Sequence, residues 1–294
     1  MISCKTGKPS EKQQRDTPTT GFIKIAADES LAPIVNAELD VFLATYLQAH
    51  IQPIYQGETE VIKSLVADSV RSIILARPLN KAEKDFFIQK SLVPKETKIA
   101  TDAIAFIVHL SNPDSEFTPA QIESIMSGKI THWKQLNPKS TLDSITIVFD
   151  NPNSSTARYV QEKFNHNKPL PKHFFAVNTN EQVMEYIEKN KNAIGVIGVN
   201  WISDIDDTQI QKFRKKFHVV GIIDKDNVAY QPYQSYIADK HYPYTRDIYF
   251  ICTEPYRGLG TGLGAFIASH RGQKIIQKAG LVPATMPARI VEIK

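Results

Sequence analysis

The 294-residue chain is 42% hydrophobic and 22% charged, enough apolar side chain for two ordinary domains with buried cores and too balanced for a disordered chain. Its formal net charge is only +4, and no basic run exceeds Arg214-Lys215-Lys216, so nucleic-acid binding has no compositional support. No apolar stretch is long enough to span a bilayer, and the eight His and two Cys residues show no metal-ligand spacing, so neither a metal nor another cofactor is expected.

Residues 1–20 are rich in Ser, Thr, Pro, Lys and Gln and carry almost nothing to bury; they read as a flexible tether. Met1-Ile2-Ser3-Cys4 is similar to the tail of a bacterial lipobox, which would make Cys4 a lipidated membrane anchor. Two readings stand: a lipoprotein trimmed just before its cysteine, or an accidental match of four residues. Cys252 lies in an apolar run and is expected as a buried thiol, with no disulfide to Cys4.

After the tether, Gly21–Ala27 is β-like, and Asp28-Glu29-Ser30 opens a helix with apolar positions Leu31, Ile34, Val35, Leu39, Phe42 and Leu47. The unit repeats with Ile51–Tyr55 extended, Gly57-Glu58-Thr59 as a turn, and Val61, Ile62, Leu65 and Val66 on a helical face. A third strand, Ser72–Ala76, ends at Arg77-Pro78. Strands joined by helices predict a parallel α/β sheet with ligands outside the carboxyl ends of the strands, where Ser30, the Gly57 turn, Arg77 and the Ser154 turn all fall. Further on come the strand Asp102–Val108, a helix from Thr118 to Ser127 stopped by Gly128, and the strand Ile145–Phe149. A helix near Glu181–Lys189 and the apolar run Ala193–Val199 follow, then a strand over Asp247–Cys252, a helix over Leu263–Ala279 and a closing strand over Val291–Ile293. The chain thus crosses twice between two α/β lobes, and the cleft between them is the expected binding site.

Within this plan the segment Val148–Arg158 is the most informative. A β-like run breaks at Asp150-Asn151-Pro152-Asn153 and reopens as an amphipathic helix with Ser154, Ser155 and Thr156 at its N-terminus. The first N–H groups of a helix lack intrahelical partners and carry the positive end of its dipole, so small hydroxyl residues there suit an oxyanion; ordinary N-capping by Asn153 or Ser154 is the alternative.

Ser127-Gly128-Lys129-Ile130-Thr131-His132-Trp133 resembles the SGKITNW signature of the phosphate-binding subunits of ABC-type uptake systems, and Asp102–Val108 resembles that family's DAIAFIV strand. In the same order, Asn153–Thr156 resembles its GSGT anion loop, Ala193–Val196 its AIGY strand, Tyr242–Arg246 its hinge segment and Gly272–Ile275 its C-terminal helix. The resemblance implies a two-lobed α/β, type II periplasmic-binding-protein fold with a hinge and an interlobe cleft. The lobes implied are 21–103 with 246–294, and an inserted 104–245. By position it implies a ligand site at Ser30 and Leu31 in the first loop, Glu58 and Thr59 in the second, Arg77 of a Ser-Arg pair, and Asn153, Ser154, Ser155 and Thr156 of the main loop. Asp150 stands where the family has an arginine and Glu58 where it has a small residue; each would repel a dianion unless it accepts a proton from it, leaving Arg77 and Arg158 to supply positive charge.

Neither Gly260-Thr261-Gly262-Leu263-Gly264-Ala265 nor Ser154 points to an enzyme: the first reads as G-x-G-x-x-A too near the C-terminus for a full βαβ unit and is expected as a flexible helix entry, and the second lacks a G-x-S-x-G frame. Trp133 and Trp201 are expected as lobe anchors. Two functions follow from the resemblance. The first is a monomeric, extracytoplasmic solute-binding protein, lipid-anchored through Cys4, that captures inorganic phosphate or another small oxyanion for an ABC permease in the inner membrane. The second is a cell-envelope binding or sensory module of the same fold with an altered ligand.

Overall fold

A computed structural model describes residues 16–204, 206 and 208–285; Cys4 and Val291–Ile293 lie outside these. The chain begins with three parallel strands, β1 (Gly21–Asp28), β2 (Ala49–Gln56) and β3 (Ser72–Leu75). They alternate with α1 (Ala32–Thr45), α2 (Glu58–Val66) and α3 (Lys81–Gln89). β1 alternates exposed and covered side chains at first and is buried over its last four residues, as expected of a strand whose carboxyl end enters the middle of a sheet. α1 stops at Thr45, so Leu47, read as a helical apolar position, is exposed.

The long β4 (Lys95–His109) joins the two halves of the main sheet. Its residues 95–103 pair with β12 (Thr245–Cys252), and 104–108 pair with β8 (Ala193–Gly198). The second half adds β6 (Thr146–Phe149) and β7 (Phe174–Ala176), both parallel to β8 in direction of pairing. Its helices are α4 (Pro119–Met126), α5 (Ser155–Asn165), α6 (Asn180–Lys189), α7 (Thr208–Arg214) and α8 (Gln234–Ala238). A small separate sheet holds β5 (Glu116–Phe117), β10 (Gly221–Ile223) and β11 (Ala229–Tyr230). β9 (Phe217–Val219) and β13 (Val282–Pro283) pair on β4. The order across the main sheet is β2-β1-β3-β12-β4-β8-β6-β7.

The sheet is therefore mixed, not parallel throughout: β12 runs antiparallel to both β3 and β4 because the chain comes back from the second half to finish the first. The C-terminal helix foreseen over Leu263–Ala279 is two helices, α9 (Leu259–Ala268) and α10 (His270–Lys278), broken at Ser269. There the backbone turns extended and the hydroxyl caps the Gly272 N–H of the second helix, a competition Ser wins at helix starts. The glycines of Gly260–Ala265 lie inside α9 and serve contact, not flexibility: a Cβ at Gly260 would meet Ser72 Oγ at 2.2 Å, and one at Gly264 would meet the Phe250 ring at 2.6 Å.

Asp16–Thr20, assigned to the tether by composition, make a turn closed by a Thr17–Thr20 bridge. Asp16 accepts the Leu259 N–H at the start of α9 and the Tyr256 hydroxyl, both at 2.5 Å. Cys252 is a buried free thiol, pushed up in pKa by burial. Trp133 is fully buried and donates from Nε1 to the Asn192 carbonyl, whereas the Trp201 Nε1 reaches the Ser30 carbonyl in the first half. Among the described residues no helix is long and apolar enough to cross a membrane.

Candidate functional site

The carboxyl end of β1 and the starts of α5 and α6 meet between the two halves. Ser154 caps α5: its hydroxyl accepts the Ala157 N–H at 3.1 Å and donates to Asp150 at 2.6 Å. The next N–H of the helix, that of Ser155, donates to Asp28 Oδ2 at 2.9 Å, and the Ser155 hydroxyl donates to Asp28 Oδ1 at 3.0 Å. Asp28 also accepts the Ser30 N–H at 2.9 Å. A carboxylate from the first half thus sits on the helix N-terminus of the second, where the unpaired N–H groups and the dipole favour negative charge.

Behind the serines stands Arg246. Its Nε and one terminal nitrogen donate to Asp102 Oδ2 at 2.9 and 2.8 Å, and the guanidinium reaches the hydroxyls of Ser155 at 2.9 Å and Ser30 at 3.2 Å. The two hydroxyls are 2.9 Å apart. Both partners of the ion pair are buried, Arg246 at 5% and Asp102 at 0% exposure. The guanidinium lies against the backbone of Gly198, where a Cβ would come within 2.6 Å of it and 2.8 Å of the Asn200 amide. Gly198→Ala is expected to cost about 1–3 kcal/mol by overpacking a site that has no room to give, measured as a shift in the urea midpoint at unchanged m-value.

On the second side, Asn180 at the start of α6 donates to Glu29 at 2.8 Å and to Asp150 at 3.2 Å. Burial raises the pKa of Asp28, opposed by the Ser30 hydrogen bond and by Arg246. Burial pushes Asp150 up to about 8, with the Asp28 carboxylate adding to the rise, and pushes Glu29 up to about 7. The Thr156 hydroxyl, fully buried in the first turn of α5, has no hydrogen-bond partner.

A third group of charges closes the other flank. Glu58, at the start of α2, receives Arg77 Nε at 2.7 Å and Arg158 at 2.8 and 3.1 Å. Arg77 continues to Glu83 with two bonds of 2.8 and 2.9 Å, and Arg158 to Glu162 at 2.7 Å and the Ala76 carbonyl at 3.2 Å. The Thr59 N–H also reaches the Asn153 carbonyl, at 3.3 Å. α2 and α5 are thereby clipped together across the two halves.

The structure brings Ser30, Asp150, Ser154, Ser155 and Thr156 into one cluster, and Glu58, Thr59, Arg77, Asn153 and Arg158 into the neighbouring clip. Leu31 is buried against the core. The two arginines assigned to the anion are engaged by Glu58 and their neighbouring acids, and the guanidinium on the serines is that of Arg246. Sequence reasoning met Arg246 only as the end of the Tyr242–Arg246 segment and Asp28 only as a helix opener. Arg246 carries a signal that could have found it: Arg246-Asp247 leads straight into the apolar run Ile248–Cys252 of a central strand, and a charge buried there has to be paired.

Comparison with protein families matches residues 12–271 to the PBP superfamily domain. The phosphate-binding protein PstS of Staphylococcus aureus is 26% identical over 238 residues, spanning 80% of this chain and 69% of that protein. Among solved structures, a phosphate ABC transporter substrate-binding protein with bound phosphate from Clostridium perfringens has a TM-score of 0.76 at 24% identity, covering 90% of this chain and 100% of that one. An ABC-type phosphate transport receptor from Vibrio cholerae has a TM-score of 0.66 at 20% identity over 90% of this chain and 100% of its own.

Proposed function

The chain belongs to the PBP superfamily, and on that premise we propose that it is an extracytoplasmic solute-binding protein whose lobes close on an oxyanion, with inorganic phosphate the leading candidate. It would pass the ligand unchanged to an ABC permease of the inner membrane. The observation that carries this reading is that the α5 N-terminus already holds an oxyanionic group in the structure, the Asp28 carboxylate, on the N–H and hydroxyl of Ser155. The kinship with phosphate-binding proteins supports the choice of ligand. We place the hinge where β4 and β12 pass between the halves, near 103/104 and 245/246, so that Ser30 and Ser154–Thr156 stand on opposite lobes and meet only on closure. Cys4 as a lipid anchor remains part of the same proposal.

Seven carboxylates, Asp28, Glu29, Glu58, Glu83, Asp102, Asp150 and Glu162, gather with three guanidiniums, Arg77, Arg158 and Arg246. Seven against three leaves four negative charges in excess when all are ionised, which opposes a dianion. Protons on Asp150 and Glu29, whose pKa values burial raises to about 8 and about 7, reduce that excess, so phosphate binding is expected to be tighter at pH 6 than at pH 8. Isothermal titration with phosphate at the two pH values tests the reading, and absence of binding at both would overturn it in favour of a binding or sensory module for another ligand. The double change Ser154→Ala/Thr156→Ala removes two hydroxyls from the cradle. With hydrogen bonds to a charged group worth about 1.5–3 kcal/mol each, it is expected to weaken phosphate binding by about 100-fold or more, and unaltered binding would move the anion elsewhere.

A further inference from the structure

Asp28 is a carboxylate whose charge an oxyanion ligand at the cradle would oppose, yet it takes the α5 donors such a ligand would use. Its oxygens accept the Ser155 N–H at 2.9 Å, the Ser155 hydroxyl at 3.0 Å and the Ser30 N–H at 2.9 Å. A carboxylate offers two oxygens in a plane, and the Thr156 hydroxyl in the same helical turn is left buried with no partner. A tetrahedral group with four oxygens at that position has the extra acceptors to satisfy it, and an orphaned buried hydroxyl is otherwise a cost the fold bears for nothing.

We propose that Asp28 is a resident competitor of the ligand: a tetrahedral oxyanion binds by taking the Ser155 donors from its carboxylate, and Asp28 takes up a proton as it yields them. The inference rests on the oxyanion reading and assigns the specificity of that site. The groups facing Asp28 favour the exchange. Glu58 and the neighbouring Glu29 and Asp150 carboxylates repel its charge, and Arg246, itself held by Asp102, is the cation beside it. Once neutral, the Asp28 carboxyl can donate a hydrogen bond to a ligand oxygen, which makes it a discriminator for anions that accept one. A fully ionised tetrahedral anion arriving beside an ionised Asp28 meets repulsion instead.

The test is isothermal titration of the full chain with inorganic phosphate at pH 5.5 and pH 8.0, each in two buffers of different ionisation enthalpy, for the unmodified protein, Asp28→Asn and Asp28→Ser. The serine variant keeps a short acceptor for the Ser30 N–H, and thermal melting of each protein establishes that it is folded. Since free phosphate ionises identically in every titration at a given pH, the comparison between proteins reports the removal of the Asp28 carboxylate, its influence on Asp150 and Glu29 included. The expected result is that both variants bind phosphate about ten-fold or more tightly than the unmodified protein at pH 8.0, and that proton uptake on binding falls by close to one. Folded variants that bind no more tightly than the unmodified protein, with unchanged proton uptake, would reduce Asp28 to a cap of the Glu29–Leu31 turn and overturn the proposal while leaving the oxyanion reading intact. Failure of all three proteins to bind phosphate at either pH would overturn the oxyanion reading, and the proposal with it.

Discussion

Arg246→Met is expected to destabilise the protein by about 3–5 kcal/mol, because it removes one partner of a buried ion pair and leaves the other charge uncompensated. Asp102, fully buried, would keep only the Asn200 N–H at 3.3 Å, and the Ser30 and Ser155 hydroxyls would lose their shared cationic donor. The two residues are direct cross-strand partners in the β4–β12 register, at the point where β4 leaves one half of the sheet for the other. Their loss should therefore loosen the connection between the halves as well as the cradle. Urea unfolding followed by circular dichroism measures the effect. Adding Asp102→Asn to Arg246→Met should recover part of the loss, since the residual cost is largely that of a lone buried charge. A loss below about 1 kcal/mol, the range of exposed ion pairs, would show that water reaches Asp102 and that the pair is not a structural keystone.

The legibility of this protein in its sequence divides along physical lines. Strands such as Asp102–Val108 and helix starts such as Ser154–Thr156 are set by neighbours within a few residues, so apolar runs and cap chemistry reveal them. The partners of charged groups are not set that way. Arg158 pairs with a glutamate 100 residues earlier, and Ser155 with an aspartate 127 residues earlier, and nothing local distinguishes these residues from solvated surface charges. Hence the hydroxyls expected at the site do gather at the start of α5 and beside Ser30, whereas Arg77 and Arg158 pair with Glu58 and the guanidinium on those hydroxyls is that of Arg246. The break at Ser269 was hidden for a related reason. The segment from Leu263 to Ala279 contains no proline, and only the extended Ser269 backbone with its capping bond to Gly272 ends one helix and starts the next.

One anomaly was legible and has a large expected effect. Glu38 falls one turn after Ile34 and Val35 on the apolar face of α1 and next to Leu39, where the 3.6-residue period calls for a hydrophobic side chain. It is buried among Ile25, Ile74, Ile99, Leu263 and Ile267 beside a cavity of about 10 Å³, scarcely room for one water, and neither carboxyl oxygen has a hydrogen-bond partner. Burial pushes its pKa up to about 9 from 4.5. The sign follows from proton counting: between those values the folded protein holds a proton that the unfolded chain releases. Stability is therefore unimpaired by Glu38 below about pH 4.5, falls as pH rises, and levels off only above about pH 9. At pH 7 the penalty is on the order of 3 kcal/mol, from roughly 1.4 kcal/mol per pH unit over about 2.5 units. Glu38→Met, of similar length and without the polar atoms, is expected to stabilise the protein at pH 7 by about that amount, or roughly 5 °C in Tm for a chain of this size. The gain should shrink below about pH 4.5, where the wild-type carboxyl becomes neutral in the unfolded chain as well as in the folded protein, and grow toward pH 9. A gain independent of pH would show that packing, and not the titration of a stranded carboxyl, accounts for it.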